Sequence, residues 1–295
     1  MQLSGSITAL ATPFTAAGEI DFSAWQRLLD AQLAAGTRAV VVAGSTGEAA
    51  ALDDGEFARL IRAAAERIAG RIPVLAGTGL ANTARTIAQT RLARDSGADI
   101  ALVVTPPYVR PTQPGLVAHF TAVADQGGLP VVLYNVPGRT GCDLLPGTVA
   151  QLCAHPGIVG LKEARGDEPR WNDLYPLGSA QFALLSGDDP TFVRAMRGGA
   201  AGVVSVASNI VPGAFSRLCR SIAAGQADEA LALDGRLRAI YEFLGVESNP
   251  IPVKAILQRL GIGEGLRLPL LDLSAVHAAK ADEVVGLCRQ IEADP

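Results

Sequence analysis

Eight short apolar runs, separated by segments of helical period, constrain this sequence more than any other feature. Most of the runs are continuously apolar rather than alternating, which is typical of parallel strands covered on both faces. They lie at residues 6–11, 39–43, 73–76, 100–104, 131–134, 158–162, 182–185 and 202–206. The pattern predicts a parallel sheet with helices packed against it.

The segments between the runs carry helix signals. Asp53 is a candidate N-cap with Glu56 three residues later, an apolar stripe follows, and Gly70 ends the pattern. Residues 21–35 behave in the same way before Gly36. Eight strand–helix units in roughly 220 residues fit a (β/α)8 TIM barrel. A doubly wound open sheet stays possible, because spacing alone does not reveal closure.

The last part of the chain has a different character. Helical patterns occupy 226–245, 251–262 and 273–293, with no clear strand among them. We therefore predict a catalytic barrel over residues 1–224 and a small C-terminal helical extension over 225–295.

Composition narrows the classes of partner. The formal net charge is −4 with no basic block, which argues against nucleic acid and anionic membranes. The N-terminus has no basic and apolar segments of a signal peptide, and no apolar run reaches the roughly 18 residues of a membrane span. The four cysteines are scattered and the three histidines isolated. These features predict a cytoplasmic protein with reduced thiols and no metal site.

The charged fraction is only 18%, whereas 49% of the residues are hydrophobic. A chain with few charges has limited means of covering its surface. Association into a homo-oligomer is one way to reduce that surface.

Polar side chains are concentrated where the apolar runs end. In a barrel these positions meet at the C-terminal ends of the strands, where active sites lie. The relevant segments are Thr-Pro-Phe at 12–14, Gly-Ser-Thr-Gly-Glu at 44–48, Gly-Thr-Gly at 77–79, Thr-Pro-Pro-Tyr at 105–108, Tyr-Asn-Val-Pro-Gly-Arg at 134–139, Lys-Glu at 162–163 and Ser-Gly-Asp-Asp at 186–189.

Lys162 ends an apolar strand, which is an unusual position for a lysine. One interpretation is a structural lysine in a buried ion pair, although Glu163 is a poor partner because neighbours on a strand point to opposite faces. The other is a nucleophile, since burial lowers a lysine pKa from about 10.4 towards 7–8. The residues alone leave both open.

Five further residues are ambiguous when each is taken alone. Ser45 and Thr46 lie in a glycine-flanked loop that either forms an anion nest or is a plain tight turn. Tyr134 is either a catalytic phenol or a core side chain, and Tyr108 has the same two interpretations. Arg139, in a turn after a proline, is either a carboxylate clamp or a surface residue.

Together these residues give the chain a clear resemblance over essentially its whole length. It resembles the dihydrodipicolinate synthases of the pyruvate-dependent class I aldolase family. The likeness includes residues 44–48, 134–141, 160–164, 184–189 and 249–254. The Arg-Thr-Gly stretch at 139–141 is the most specific, and favours the synthases over the sugar-acid aldolases.

The resemblance implies a function and a set of roles. The reaction would be condensation of pyruvate with L-aspartate 4-semialdehyde to 4-hydroxy-tetrahydrodipicolinate, in lysine and diaminopimelate biosynthesis. No organic cofactor would be needed, and the family is usually tetrameric. The implied site residues are Lys162 for the Schiff base, Ser45 and Thr46 for the pyruvate carboxylate, Thr46, Tyr134 and Tyr108 for proton relay, Arg139 for the semialdehyde carboxylate, and Gly187 and Val204 for substrate contact.

Tyr108 would reach in from a neighbouring subunit, so the resemblance also implies shared sites. Members of the family that respond to lysine bind it with polar side chains at a subunit interface. The matching positions here are Ala49, Asp54, Phe57, Ala81, Arg85 and Pro107. Their chemistry predicts absent or weak inhibition by lysine.

Two alternative functions are kept. One is an N-acetylneuraminate or 2-keto-3-deoxy-sugar-acid aldolase or dehydratase, which would use Lys162 and Tyr134 in the same way but needs groups for a longer hydroxylated substrate. The other is a non-catalytic barrel that senses a keto acid, which should have lost the lysine or a hydroxyl.

Overall fold

The computed structural model describes residues 3–293, and Met1, Gln2, Asp294 and Pro295, at the ends of the two predicted regions, lie outside the described residues. Eight parallel strands form a closed barrel in chain order. They are Gly5–Ala9 (β1), Ala39–Val42 (β2), Val74–Gly77 (β3), Ile100–Val104 (β4), Val131–Asn135 (β5), Ile158–Glu163 (β6), Ala183–Ser186 (β7) and Gly202–Ser205 (β8). Pairing of β8 with β1 closes the sheet, which confirms the TIM barrel and excludes the open sheet.

Strand ends differ from the predicted runs by one or two residues, for identifiable reasons. β1 stops at Ala9 because the Ala11 N–H donates to the side chain of Asn209 (3.0 Å) instead of to a neighbouring strand. β5 and β6 each continue one residue beyond the apolar run, because Asn135 and Glu163 pair in register despite their polarity.

Twelve α-helices surround and extend the barrel within residues 3–293. They are Phe22–Ala35 (α1), Asp54–Ile68 (α2), Thr83–Asp95 (α3), Gln113–Gln126 (α4), Pro137–Thr140 (α5), Pro146–Leu152 (α6), Glu168–Leu174 (α7), Phe192–Gly198 (α8), Pro212–Ala223 (α9), Ala227–Leu244 (α10), Ile251–Arg259 (α11) and Ala278–Ala293 (α12). The predicted capping box is present: the Asp53 side chain accepts from the Glu56 N–H, and Glu56 reaches back to the Asp53 N–H. Such a cap stabilises a helix by about 1 kcal/mol.

The C-terminal helices match the predicted helical tail, but two boundaries were wrong. α11 ends at Arg259 rather than 262, and the last α-helix begins at Ala278 rather than 273, after a short 3₁₀ turn. The connecting segment is tied to the barrel instead of continuing a helix. Arg267 donates to the carbonyls of Gly18 and Ala51. The division at 224/225 stays a prediction.

Two apolar cores position the site. The larger lies between the barrel and its helices and includes Trp25, Phe120, Phe192 and Phe215. The smaller fills the barrel, with side chains such as Ile7, Leu75, Val132, Leu185 and Val204. Because the interior is packed rather than open, chemistry is confined to the mouth at the C-terminal strand ends.

Candidate active site

Lys162 faces into the barrel near the end of β6. Its side chain is buried, with 6% of the residue exposed. It is in register with Tyr134 on β5, and its Nζ lies 4.2 Å from the centre of the Tyr134 ring. Alternation along each strand brings both side chains to the same face. The mouth of the barrel therefore holds a buried amine against a phenol.

The structure also decides how Glu163 relates to this lysine. The Glu163 carboxylate accepts from Asn135 Nδ2 and from the Arg165 N–H on the helix side of the sheet. Within residues 3–293, no carboxylate forms an ion pair with Lys162 Nζ. The interpretation of Lys162 as a structural lysine in an ion pair therefore has no support within residues 3–293.

Gly187, directly after β7, lies against the lysine. A Cβ at this position would be 2.8 Å from Lys162 Cε and 3.1 Å from Cγ, closer than ordinary van der Waals contact. Any side chain here would displace the lysine, so a glycine is required to leave its position free. Val204 lies in the inner core together with Tyr134 and Leu185.

The Gly44–Glu48 loop is folded tightly over the end of β2. Thr12 donates to the Gly47 carbonyl (2.7 Å), and the Gly44 carbonyl accepts from the Gly47 and Ala49 N–H groups. Ser45 is exposed and lines the cavity at the barrel mouth. Thr46 is buried, and its hydroxyl accepts from Asn249 Nδ2 at 3.0 Å. The two neighbouring hydroxyls therefore have different surroundings.

The C-terminal extension supplies contacts to the site that the sequence did not reveal. The buried Lys254 forms an ion pair with Glu48, and the Arg267 N–H donates to the other Glu48 oxygen at 3.0 Å. Burial lowers the pKa of Lys254, and the Glu48 carboxylate opposes that shift. Glu48 itself has φ 52°, in the left-handed region that non-glycine residues rarely adopt.

These partners hold the loop in place from the far end of the chain. The 249–254 motif was part of the resemblance, but no role for it followed from the residues. The only signal available was a lysine and an asparagine in an otherwise apolar stretch.

Arg139 lies on the short helix α5 and is exposed at the cavity wall. Its guanidinium donates to the Asn249 carbonyl at 3.1 Å. Asn249 thus contacts Thr46 through its side chain and Arg139 through its backbone. It connects two of the residues that the sequence proposed separately.

Tyr108 is the predicted site residue that the structure does not bring to the others. It is 92% exposed, with φ 73°, and its N–H donates to the Thr140 carbonyl. The neighbouring Pro107 lines the cavity, whereas Tyr108 is not among the described residues that do.

The cavity itself has a volume of about 570 Å³ and lies at the barrel mouth. Its lining includes Ser45, Tyr134 and Arg139 together with apolar side chains such as Phe57 and Leu270. The hydroxyl and guanidinium donors in this lining suit a carboxylate substrate.

Residues 3–293 contain neither a metal-binding cluster nor a membrane-spanning helix. No group of three or more His, Cys, Asp or Glu side chains is arranged to hold a metal ion. No described helix is long and apolar enough to cross a membrane.

Comparison with known proteins identifies the family of the chain. The sequence profile of the Dihydrodipicolinate synthetase family matches residues 2–286. The chain belongs to this family. It is 62% identical over 293 residues to 4-hydroxy-tetrahydrodipicolinate synthase of Stenotrophomonas maltophilia (strain R551-3), covering 99% of each chain. It is 63% identical to the enzyme of the same name from Xanthomonas axonopodis pv. citri (strain 306), covering 99% of this chain and 97% of that one.

Solved structures of the family superpose closely. A chloride-inhibited dihydrodipicolinate synthase from Acinetobacter baumannii, complexed with pyruvate, has a TM-score of 0.94 and 39% identity, with 97% of this chain and 99% of that chain covered. The enzyme from Cyanidioschyzon merolae with lysine bound has a TM-score of 0.91 and 36% identity, with 98% of each covered. A monomeric variant has a TM-score of 0.95 and 36% identity, with 97% of each covered.

Proposed function

We propose that this chain is a lyase that condenses pyruvate with L-aspartate 4-semialdehyde to 4-hydroxy-tetrahydrodipicolinate, a step of lysine and diaminopimelate biosynthesis. The observation that carries the proposal is the buried Lys162 amine, held against the Tyr134 ring at the barrel mouth without a carboxylate partner among residues 3–293. Relatives more than 60% identical over almost the whole chain bear the name of this enzyme.

The chemistry starts with attack of the Lys162 amine on the keto carbon of pyruvate, and loss of water gives an imine. The imine makes the pyruvate methyl group acidic, so loss of a proton gives an enamine. The enamine carbon then attacks the aldehyde carbon of the second substrate. Finally, the substrate's own amine displaces Lys162 and releases a cyclic product.

Protons must move in each of these steps, and hydroxyls within hydrogen-bond reach can carry them. We assign the relay to Thr46, Tyr134 and Tyr108, with the carboxylate of pyruvate bound by Ser45 and Thr46. Ser45 opens onto the cavity, whereas the Thr46 hydroxyl is engaged by Asn249. Comparing the variants Ser45→Ala and Thr46→Val separates carboxylate binding, read as KM for pyruvate, from proton transfer, read as kcat.

The second substrate requires a site for its own carboxylate. We assign this to Arg139, which is exposed at the cavity wall and held by Asn249. Gly187, beside the lysine, and Val204, in the inner core, complete the proposed substrate contacts. We assign no cofactor and no metal to the reaction.

The competing functions are less well supported. A sialic-acid or 2-keto-3-deoxy-sugar-acid aldolase would use the same lysine and tyrosine, but the names of the relatives and the guanidinium at the cavity favour a short acidic aldehyde. A sensor without catalysis would have no use for a lysine buried beside a phenol.

We further propose a cytoplasmic homo-oligomer, with a tetramer as the expected form. Support comes from Tyr108, which is 92% exposed in a single chain although the relay requires it. A monomeric structural relative shows that the family also contains other forms.

The test is an assay of the purified protein with pyruvate and L-aspartate 4-semialdehyde, in parallel with cleavage of N-acetylneuraminate. We expect formation of the cyclic product and no release of N-acetylmannosamine. Cleavage of N-acetylneuraminate without condensation would overturn the proposal.

A further inference from the structure

A side-chain bridge lies directly behind the reacting lysine and is not explained by the proposed mechanism. On the paired strands β5 and β6, Tyr134 and Lys162 form one rung and Asn135 and Glu163 form the next. The first pair faces the barrel interior and the second faces the helices, as strand alternation requires. The outer pair is bonded across the strands, with Asn135 Nδ2 at 3.0 and 3.1 Å from the two Glu163 oxygens.

The bridge is fixed at both ends. Asn135 Oδ1 accepts from the Leu144 N–H at 2.9 Å, so the amide cannot rotate without losing a bond. Its Nδ2 also donates to Asp143 at 2.8 Å, and the Glu163 carboxylate accepts from the Arg165 N–H at 2.8 Å. Both Asn135 and Glu163 are buried, with 0% and 1% exposed.

Charged groups close the arrangement. Arg170 on α7 is buried, with its Nε 3.8 Å from Glu163 and its terminal nitrogen paired with Asp143. Arg165, immediately after β6, also pairs with Asp143. Every polar group that faces Glu163 among the described residues therefore belongs to one continuous network on the outer side of the two catalytic strands.

Joining two strands through a buried carboxylate carries an unfavourable desolvation free energy. Burial raises the pKa of Glu163 to about 7, despite the hydrogen bonds from Asn135 and Arg165 that favour its charged form. Well-packed apolar side chains hold strands together at least as well as buried charges. Unfavourable buried groups are concentrated at functional sites, and this one is adjacent in sequence to the nucleophile.

We propose that Glu163 is a positioning residue for the Schiff-base lysine, acting through its bridge to Asn135 to fix Lys162 against Tyr134 from the outer face of the barrel. The inference rests on the proposed role of Lys162. An error of about 1 Å in the placement of a reacting group lowers a rate by about 100-fold. Loss of the bridge should therefore slow imine formation by more than the accompanying loss of stability explains.

The experiment measures trapping of the pyruvate imine by borohydride over time at saturating pyruvate, using intact mass, together with thermal unfolding. We expect Glu163→Gln to slow imine formation by about 10- to 100-fold with KM for pyruvate little changed. Glu163→Asp, which keeps a carboxylate, should recover part of the rate.

The matched control is Gln32→Leu. Gln32 is equally buried and accepts from Thr8 and Thr37, but its network lies behind β1 and does not touch β5 or β6. This variant should lower the melting temperature while imine formation stays within about twofold of wild type. Glu163→Gln keeps one acceptor oxygen and weakens the bridge, whereas Asn135→Ser breaks it from the other end and should slow imine formation at least as much.

The outcomes separate this inference from the proposed function. Absence of a wild-type adduct on Lys162 overturns both. A wild-type adduct that forms at an unchanged rate in the folded bridge variants overturns the role of Glu163 alone. A slowing that follows melting temperature equally in Gln32→Leu and Glu163→Gln also overturns it, because the bridge would then be merely structural.

Discussion

Two tyrosines assigned to the same proton relay occupy opposite environments. Tyr134 is 7% exposed on β5, and Lys162 Nζ lies over its ring. Tyr108 is 92% exposed in the loop after β4. The first has its position fixed by the barrel, whereas the second has almost no side-chain environment in its own chain.

The difference indicates that the proposed proton relay is not assembled within one chain. Tyr108 also has φ 73°, a conformation that costs a non-glycine residue about 1 kcal/mol or more and persists where surrounding structure enforces it. Val109 beside it is 53% exposed. A strained loop that presents a phenol and a valine to solvent fits a surface that is covered by another subunit.

The largest expected effect concerns the buried part of the site, which contains Lys162 and Tyr134. Lys162→Ala should abolish condensation, lowering the rate by on the order of 10⁴-fold or more, because no other nucleophile replaces it. In the wild type, pyruvate and borohydride should add one reduced adduct on Lys162. The sequence has only three lysines, so peptide mass mapping distinguishes Lys162 from Lys254 and Lys280.

The buried Lys254 serves as an internal control for that mapping. It is engaged by Glu48 and should stay unmodified. An adduct on Lys254, or none at all, would show that Lys162 is not the Schiff-base residue. Tyr134 would then have no reacting group beside it to serve.

The second prediction tests whether the exposed Tyr108 acts in the site of another subunit. Tyr108→Phe should lower activity by about 10²- to 10⁴-fold, the usual size of a general acid–base contribution. Mixing Tyr108→Phe with Lys162→Ala subunits should restore activity, because one site in each mixed pair then combines an intact Lys162 with an intact Tyr108. Mass spectrometry of the complexes verifies the exchange, and mixed oligomers without activity would show that each chain supplies its own tyrosine.

The same contrast separates what the sequence predicts from what it does not. The strands and α2 follow from apolar runs and the Asp53–Glu56 cap, which are local patterns. The proximity of Lys162 and Tyr134 is predictable because polar residues at the ends of apolar strands meet at one edge of a parallel barrel.

The supports of the site lack such a signal. Glu48 and Lys254 are 206 positions apart, and Thr46 and Asn249 are 203 apart. Their pairing depends on how the C-terminal helices dock, and no local pattern encodes that. The Asn135–Glu163 bridge escapes prediction for a different reason, because two polar residues at strand ends look like further candidates for the cavity although they face away from it.

A third prediction concerns Arg139, which lines the cavity. Arg139→Ala should impair use of aspartate semialdehyde by roughly 10- to 150-fold, the worth of a charge-assisted contact, and should leave imine formation with pyruvate nearly unchanged. Arg139→Lys keeps the charge and is the matched control. Equal loss in both half-reactions would show that its bond to the Asn249 carbonyl is its main contribution.

A smaller effect should appear in stability rather than rate. Burial raises the pKa of Glu163 from its usual 4.5 to about 7, so the folded state binds more protons between these values. Stability from the neutral carboxyl is fully present below pH 4.5 and is lost as the pH rises through 7. Wild type should therefore lose up to about 3 kcal/mol more than Glu163→Gln between pH 5 and 8.5. Denaturant unfolding at each pH measures this, and parallel curves for the two proteins would contradict it.

The smallest expected effect is that of free L-lysine on activity. A relative from Cyanidioschyzon merolae has a structure with lysine bound. The positions predicted to correspond to the family's lysine site are Ala49, Asp54, Phe57, Ala81, Arg85 and Pro107. Four of them, all but Asp54 and Arg85, line the cavity at the barrel mouth.

Such a surface offers a cationic amino acid little. Ala49, Ala81, Phe57 and Pro107 have no side-chain hydrogen-bonding group, and Arg85 repels an ammonium ion. Asp54, which is exposed, is the one residue of the set that attracts it. Loss of two charge-assisted contacts of about 1.5–3 kcal/mol each weakens binding more than a hundredfold. Initial rates at subsaturating pyruvate should therefore be insensitive to L-lysine, and Arg85→Glu should increase the response if the site is placed correctly. Half-inhibition of the wild type below about 1 mM would show that lysine is bound by contacts other than these six side chains.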